Sequence, residues 1–495
     1  MKKVALIILD GFGLAPPWGG NAIFLAKTEY LNKIFRNYTC PRLQASGEAV
    51  GLPFGEPGNS EAGHLNLGAG KVVHQDVQHI FNLIENGEFQ KNKVLQEAME
   101  RTKKLHSSLH ILGLLSDRGI HSHIRQLFAL LSLCQKQKVK EVFLHLFTDG
   151  RDTGPQDALR FIEKLKRQIN KLKVGKIASI SGRFYAMDRD KHWERTMLVY
   201  NLLTKGEGLK FAKAEAAVTS AYQQGLTDEY IPPSLIEPVT VEENDSMIFF
   251  NVRGDRMRQL VSLFAESKIS NLFIATFSFY GEMIKNTHSA FGSEKVIFPL
   301  ARVIAENGFS QLHIAESEKY AHITYFFNGG REDVFQQEKR ILIPSKRIRS
   351  YAFYPQMSAF EITSRIIAEL KIKLVDFLLV NYANADMVGH TGNIKAAIQA
   401  IETLDLELKR LVPVLSNYYE IVITADHGNA EQMVNPKTGE VDPEHTTNPV
   451  PFIIISRDRQ YPLREAGILA DVAPTILQIM GLKKPEEMTG RSLIK

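Results

Sequence analysis

The feature that most constrains this chain is a set of short, unbroken apolar runs, each stopping at a polar, chemically capable residue. Val4–Leu9 runs into Asp10-Gly-Phe-Gly13, Val375–Val380 into Asn381-Tyr-Ala-Asn-Ala-Asp386, and Ile421–Thr424 into Ala425-Asp-His-Gly428. Phe452–Ile455, preceded by Pro451, is a fourth such run. Runs without polar alternation predict strands buried on both faces of a parallel sheet. Ile398, Ile401, Leu404, Leu408 and Leu411 recur every three or four residues between the second and third runs, which predicts a crossover helix and a βαβ unit. Ligands of open α/β sheets sit beyond the carboxyl ends of strands. Asp10, Asp386 and Asp426, far apart in sequence, are therefore expected to meet along one sheet edge.

The middle of the chain alternates in the same way. Leu109–Leu115, Val142–Phe147, Ile177–Ile180 and Met247–Phe250 read as strands, with helical stretches such as Ile124–Leu133 between them. The expected fold class is α/β: a parallel-sheet domain formed by residues 1–75 and 300–495, with a second α/β domain, residues 76–299, inserted into it. With 44% hydrophobic and 23% charged residues among 495, the composition excludes a disordered or collagen-like chain. Sixty Lys+Arg against 55 Asp+Glu give a mild +5 with no long basic block, so charge lends no support to a nucleic-acid partner. Cys40 and Cys134 stand far apart and outside any C-x-x-C, which argues for a reducing compartment. The apolar run after Met1-Lys-Lys stops at Asp10, short of the roughly 7–15 residues of a signal core. No stretch reaches the ~18 apolar residues of a membrane span. A cytoplasmic protein with no membrane partner is expected, and, with no heptad or interface stripe, a monomer.

Two glycine patterns invite a nucleotide reading and fail it. After Gly11 and Gly13, the third glycine of a dinucleotide fingerprint would fall on Pro16. Gly58-Asn-Ser-Glu-Ala-Gly63 has P-loop spacing, but His64 and Leu65 replace the lysine and the hydroxyl residue. The pattern that carries chemistry is the set of strand-end acids together with three histidines. Asp386 and His390 are four apart and share a face if helical; Asp426 and His427 are adjacent, and His445 precedes the Phe452 run. Oxygen and imidazole donors without thiolate suit Mn²⁺ or Zn²⁺. Two such ions can stabilise both oxygens of a phosphoryl transfer, and Ser60 between its glycines is the candidate nucleophile.

Read together, the motifs resemble those of the cofactor-independent phosphoglycerate mutases of the alkaline-phosphatase superfamily. They include Leu9-Asp-Gly-Phe-Gly13, Gly58-Asn-Ser-Glu-Ala-Gly-His64, His121-Ser-His123, Asp149-Gly-Arg-Asp152 and Ser181-Gly-Arg183. Phe250-Asn-Val-Arg-Gly-Asp-Arg256, Glu318-Lys-Tyr320, Asn381–His390, Thr424–Ala430 and His445–Pro451 complete the series. The resemblance spans nearly the whole chain. It implies an alkaline-phosphatase-like fold and two metal sites, Asp386 with His390 and His445, and Asp10 with Ser60, Asp426 and His427, ordinarily filled by two Mn²⁺ ions. It implies that His121, Arg151, Asp152, Arg183, Arg189, Arg253, Arg256 and Lys319 bind the substrate. Bidentate arginines suit its phosphate and carboxylate.

The implied reaction interconverts 3-phosphoglycerate and 2-phosphoglycerate through a phosphoserine at Ser60, without 2,3-bisphosphoglycerate. Asp152 would serve as acid/base and Lys319 as a charge stabiliser. Closure of the two domains would keep water out. The alternative is a metal-dependent phosphatase or another phosphomutase of the same superfamily. Glu56-Pro57, Ala62, Lys71, Val252 and Gly254 depart from the family's usual residues without replacing an implied ligand.

Overall fold

The computed structural model describes residues 2–74, 76–281, 284–292 and 296–495. The chain divides into two compact units, Met1–Gln75 with Lys295–Lys495, and Asp76–Glu294. Each is a mixed α/β unit built on an eight-stranded, largely parallel sheet. No helix among the described residues is long and apolar enough to cross a membrane.

In the first unit the strand Lys3–Leu9 lies at the centre, parallel to Phe377–Tyr382 on one side and to Tyr419–Thr424 on the other. Gln311–Glu316 and then Glu338–Ile343 extend the sheet in parallel beyond Phe377–Tyr382. The apolar runs are buried at every position from Val4 to Leu9, from Phe377 to Tyr382 and from Tyr419 to Thr424, because helices cover both faces. The helix Ile394–Leu415 is one of these covers. It buries Ala397, Ala400, Ile401, Leu404, Leu408 and Leu411, and Asn393 caps its start by accepting from the Ala396 amide at 3.1 Å. The long helix and the apolar spacing that predicts it coincide.

One expectation is corrected. Val450–Ile455, which contains the fourth apolar run, is antiparallel to Tyr419–Thr424. A parallel return needs a crossover, usually a helix, and residues 425–449 contain none. Burial on both faces makes a strand apolar whichever way it runs, so the run alone does not encode direction. Arg42–Gln44 and Ala466–Ile468 finish that side of the sheet.

The second unit has the parallel strands Leu109–Leu115, Val142–Thr148 and Lys176–Gly182 laid down in one direction. The chain then returns to the other side of Leu109–Leu115 and adds Ser246–Phe249 and Phe273–Thr276, also parallel. The order of laying strands thus reverses between Leu109–Leu115 and Ser246–Phe249, where the carboxyl ends of a doubly wound sheet open a crevice.

Candidate functional site

The first unit gathers its polar groups where the chain leaves the central strands. Asp10 follows Lys3–Leu9, Asp386 lies in the short helix Asn384–Gly389 after Phe377–Tyr382, and Asp426 follows Tyr419–Thr424. Lys319, in Ser317–Ala321 after Gln311–Glu316, completes the edge. All four are buried. Close approach of the loops needs glycine at Gly11, which has φ +74° and where a Cβ would stand 2.6 Å from the Asp386 backbone.

Ser60 begins the helix Ser60–Ala69, whose N-cap Asn59 accepts from the Ala62 amide at 2.9 Å. The Ser60 hydroxyl therefore sits at the positive end of a ten-residue helix. Its Oγ is 2.9 Å from His427 Nε2 and 3.4 Å from Asp10 Oδ1, and accepts from Lys319 Nζ at 2.6 Å. The Lys319 ammonium also donates to Asp386 Oδ2 at 2.6 Å and stands 2.6 Å from Asp10 Oδ1. Asp386 Oδ1 is 3.3 Å from His390 Nε2 and 3.1 Å from His445 Nε2. His427 Nε2 faces both sets of acids, 3.4 Å from Asp426 Oδ2, 3.6 Å from Asp10 Oδ1 and 3.9 Å from Asp386 Oδ1. The structure thus brings together Asp10, Ser60, Lys319, Asp386, His390, Asp426, His427 and His445.

The electrostatics are those of crowded acids. Burial raises the Asp10 carboxyl above its ordinary value, and Asp426 adds to the rise. Burial would raise Asp386 too, but the Lys319 ammonium and hydrogen bonds from His390 and His445 hold it well below. Asp426 is likewise held far down against burial, by His427 and His64. Burial opposes the charge on Lys319, and the surrounding carboxylates more than restore it. Among the described residues one ammonium faces three buried carboxylates, and Asp426 Oδ2 makes no well-aligned hydrogen bond although His64 Nδ1 lies 3.1 Å away. Buried charges require pairing or a metal, so this oxygen and imidazole set fits divalent cations. Two groups, Asp386 with His427 and His445, and Asp10 with His64 and Asp426, each bring ligand atoms within 4.8 Å of one another.

The second unit carries its own cluster at strand carboxyl ends. His121 follows Leu109–Leu115, Arg151 and Asp152 follow Val142–Thr148, Arg183 follows Lys176–Gly182, and Arg253 and Arg256 follow Ser246–Phe249. Arg183 is buried, with Nη1 2.6 Å from both Asp149 Oδ1 and Asp152 Oδ2. Arg189 donates to Asp255 Oδ2 at 2.9 Å. Burial and then the Arg183 charge lower the His121 imidazole to about 4, and its buried Nδ1 has no hydrogen-bond partner. Burial also lowers the Arg256 guanidinium, helped by the charges of Arg189, Arg183 and Arg151. The crowding of the Arg151, Arg183, Arg189 and Arg256 charges suits the cluster to an anion.

Residues 80–290 match the family model described as the BPG-independent PGAM N-terminus. The 2,3-bisphosphoglycerate-independent phosphoglycerate mutase of Clostridioides difficile (strain 630) is 46% identical, over 100% of this chain and 99% of that protein. The chain belongs to the 2,3-bisphosphoglycerate-independent phosphoglycerate mutase family. A protein of the same name from Clostridium kluyveri is 47% identical over the same shares of the two chains. A crystal structure of Leishmania mexicana phosphoglycerate mutase, at low cobalt concentration, matches with a TM-score of 0.69 at 29% identity, covering 100% of this chain and 98% of that one.

In this member of the mutase family, sequence reasoning missed three buried residues beside the acids. In sequence His64 stands only as a replacement for a P-loop lysine and as the end of the Gly58–His64 motif, without a role, although its position four after Ser60 puts it on the same helix face. Asn381 is read in sequence only as the start of the motif that carries Asp386 and His390, with no role of its own. Glu431 had no signal at all. Its carboxylate accepts from the amides of Gly13 at 3.1 Å and Asn429 at 2.8 Å, from Asn448 Nδ2 at 3.0 Å, and from the Thr446 hydroxyl. It thereby ties together the loops that carry Asp10, Asp426 with His427, and His445.

Proposed function

We propose that this chain interconverts 3-phosphoglycerate and 2-phosphoglycerate without 2,3-bisphosphoglycerate, with Ser60 carrying the phosphoryl group between the two oxygens. The observation that carries this reading is the Ser60 hydroxyl itself, at a helix N-terminus and within 2.9 Å of both Lys319 Nζ and His427 Nε2. Asp386, His390 and His445 would hold one divalent cation, and Asp10, Ser60, Asp426 and His427 the other, with Mn²⁺ the proposed metal. When bound, such ions supply a lowered serine pKa and charge neutralisation at phosphoryl oxygens.

The chain's own groups do the rest. The helix N-terminus favours the negative charge of a phosphoserine, and Lys319 neutralises charge on its oxygens. In the second unit, Arg151, Arg183, Arg189, Arg253 and Arg256 would grip the phosphate and carboxylate of the substrate, and His121 would hydrogen-bond to it. Asp152, held by Arg183, would give a proton to the departing 3-oxygen of glycerate and take one from its 2-hydroxyl. On this reading residues 1–75 and 300–495 form the phosphotransfer domain and residues 76–299 the substrate domain. The free thiols of buried Cys134 and half-buried Cys40 accord with a cytoplasmic enzyme, and a monomer acting on this small molecule alone is the proposed state.

The test is rapid quenching with 3-phosphoglycerate labelled in its phosphate. Wild type should carry label on Ser60, and Ser60→Ala, still folded, should carry none and lose at least about 10³-fold in turnover. Label on another residue would remove Ser60 as the carrier.

A further inference from the structure

Two fully buried side chains with no part in the steps above, Asn381 and His64, link the pieces of the acid cluster to one another. Asn381 lies in Phe377–Tyr382 directly beside Ile8 of the central strand, two residues before Asp10. Its Nδ2 donates to Asp10 Oδ2 at 2.8 Å and faces His64 Nε2 at 2.9 Å. An amide nitrogen has two hydrogens, and these contacts use both. The reversed amide would press Oδ1 against the Asp10 carboxylate, so the acid fixes its orientation. Facing a donor, His64 Nε2 must be bare, and its ring proton sits on Nδ1. That nitrogen is 2.9 Å from the Ser60 carbonyl oxygen, one helical turn back, and 3.1 Å from Asp426 Oδ2.

We propose that Asn381 and His64 act as a positioning pair for the metal centre. Asn381 turns the Asp10 carboxylate so that Oδ1 faces Ser60 and Lys319. His64 holds the first turn of the Ser60 helix in register with that carboxylate and sets a polarised N–H beside Asp426. The pair links four segments that share no local sequence, and the geometry of nucleophile and ligands depends on them together. This inference rests on the two-metal reading above. Hydrogen-bonded partners of ligating groups typically contribute 10–100-fold to metal affinity.

Titration of chelator-stripped protein with Mn²⁺ tests it. Wild type should take up two Mn²⁺; fewer would sink the two-metal reading by itself, before any variant is compared. Asn381→Leu, close in volume and without donors, and His64→Asn, which keeps a donor near Nδ1, should still take up two, each about 10–100-fold more weakly. The double variant should be little weaker than the weaker single one, because the pair works as a unit. kcat should fall with KM for 3-phosphoglycerate within about twofold. Unchanged Mn²⁺ affinity in both single variants overturns the pair. So does loss of one whole equivalent in His64→Asn, which would make His64 a ligand. Should either variant fail to fold, ¹⁵N NMR of histidine-labelled, metal-free wild type decides. A proton on Nδ1 and a bare Nε2 at His64 are expected, and a proton on Nε2 overturns the assignment.

Discussion

At the scale of single residues, the centre is an imbalance of charge. Lys319 is, among the described residues, the one ammonium beside Asp10, Asp386 and Asp426. Removing one partner of a buried charged group leaves the others uncompensated, at roughly 3–5 kcal/mol. Lys319→Met keeps the stem and deletes the charge. It should lower the melting temperature of metal-free protein by several degrees, and added Mn²⁺ should recover more stability in the variant than in wild type. Equal melting temperatures for the two metal-free proteins would show that the acids do not depend on the ammonium.

At the scale of elements, the place of Ser60, the proposed nucleophile, depends on how closely its helix meets a strand end. A Cβ on Gly63 would stand 2.6 Å from the Asp426 carbonyl oxygen and 2.7 Å from its Cβ. Gly63→Ala should therefore push the helix Ser60–Ala69 outward, destabilise the fold by about 1–3 kcal/mol and reduce turnover more than ten-fold. Normal turnover in Gly63→Ala would mean that the helix position is not critical. Elements of this kind were largely legible in sequence. Val4–Leu9, Leu109–Leu115 and Ile421–Thr424 declare themselves because both faces are buried, and Asp10 and Asp426, after the first and last of these, declare the edge. The direction of Val450–Ile455 was not legible, since a run of apolar residues carries no arrow. Nor were the roles of Asn381, His64 and Glu431, because their partners lie on distant segments and neither periodicity nor spacing encodes such contacts.

At the scale of the whole molecule, buried histidines set the response to acid. Burial foremost lowers His121 and His123 to about 4, with help from Arg183 and Arg125 respectively, and His322 to about 3, with help from His64. Burial lowers His145 and His313 as well. An unfolded histidine titrates near 6.5, so on acidification the unfolded chain takes up these protons first and stability falls as pH drops from about 6.5 toward 4. Burial raises Glu316 to about 7 and Asp228 to about 6, which acts oppositely in the same range. Asp10, Asp76 and His390 are raised as well and also oppose the fall. The carboxylates of Asp255, Glu338, Asp376, Asp386 and Asp426 are held low and act with the histidines. Each net proton is worth about 1.4 kcal/mol per pH unit. The melting temperature of metal-free protein should fall from pH 7 to pH 5, and a flat or rising profile would contradict this balance.

As a whole the molecule is proposed to be a metal-dependent phosphoryl shuttle that needs no bisphosphorylated primer. The most direct measurement is conversion of 3-phosphoglycerate to 2-phosphoglycerate by purified protein without 2,3-bisphosphoglycerate, with chelator and then with Mn²⁺ restored. Turnover that stops with chelator and returns with Mn²⁺ is the predicted result. Release of free phosphate with no 2-phosphoglycerate, or turnover indifferent to the chelator, would contradict it.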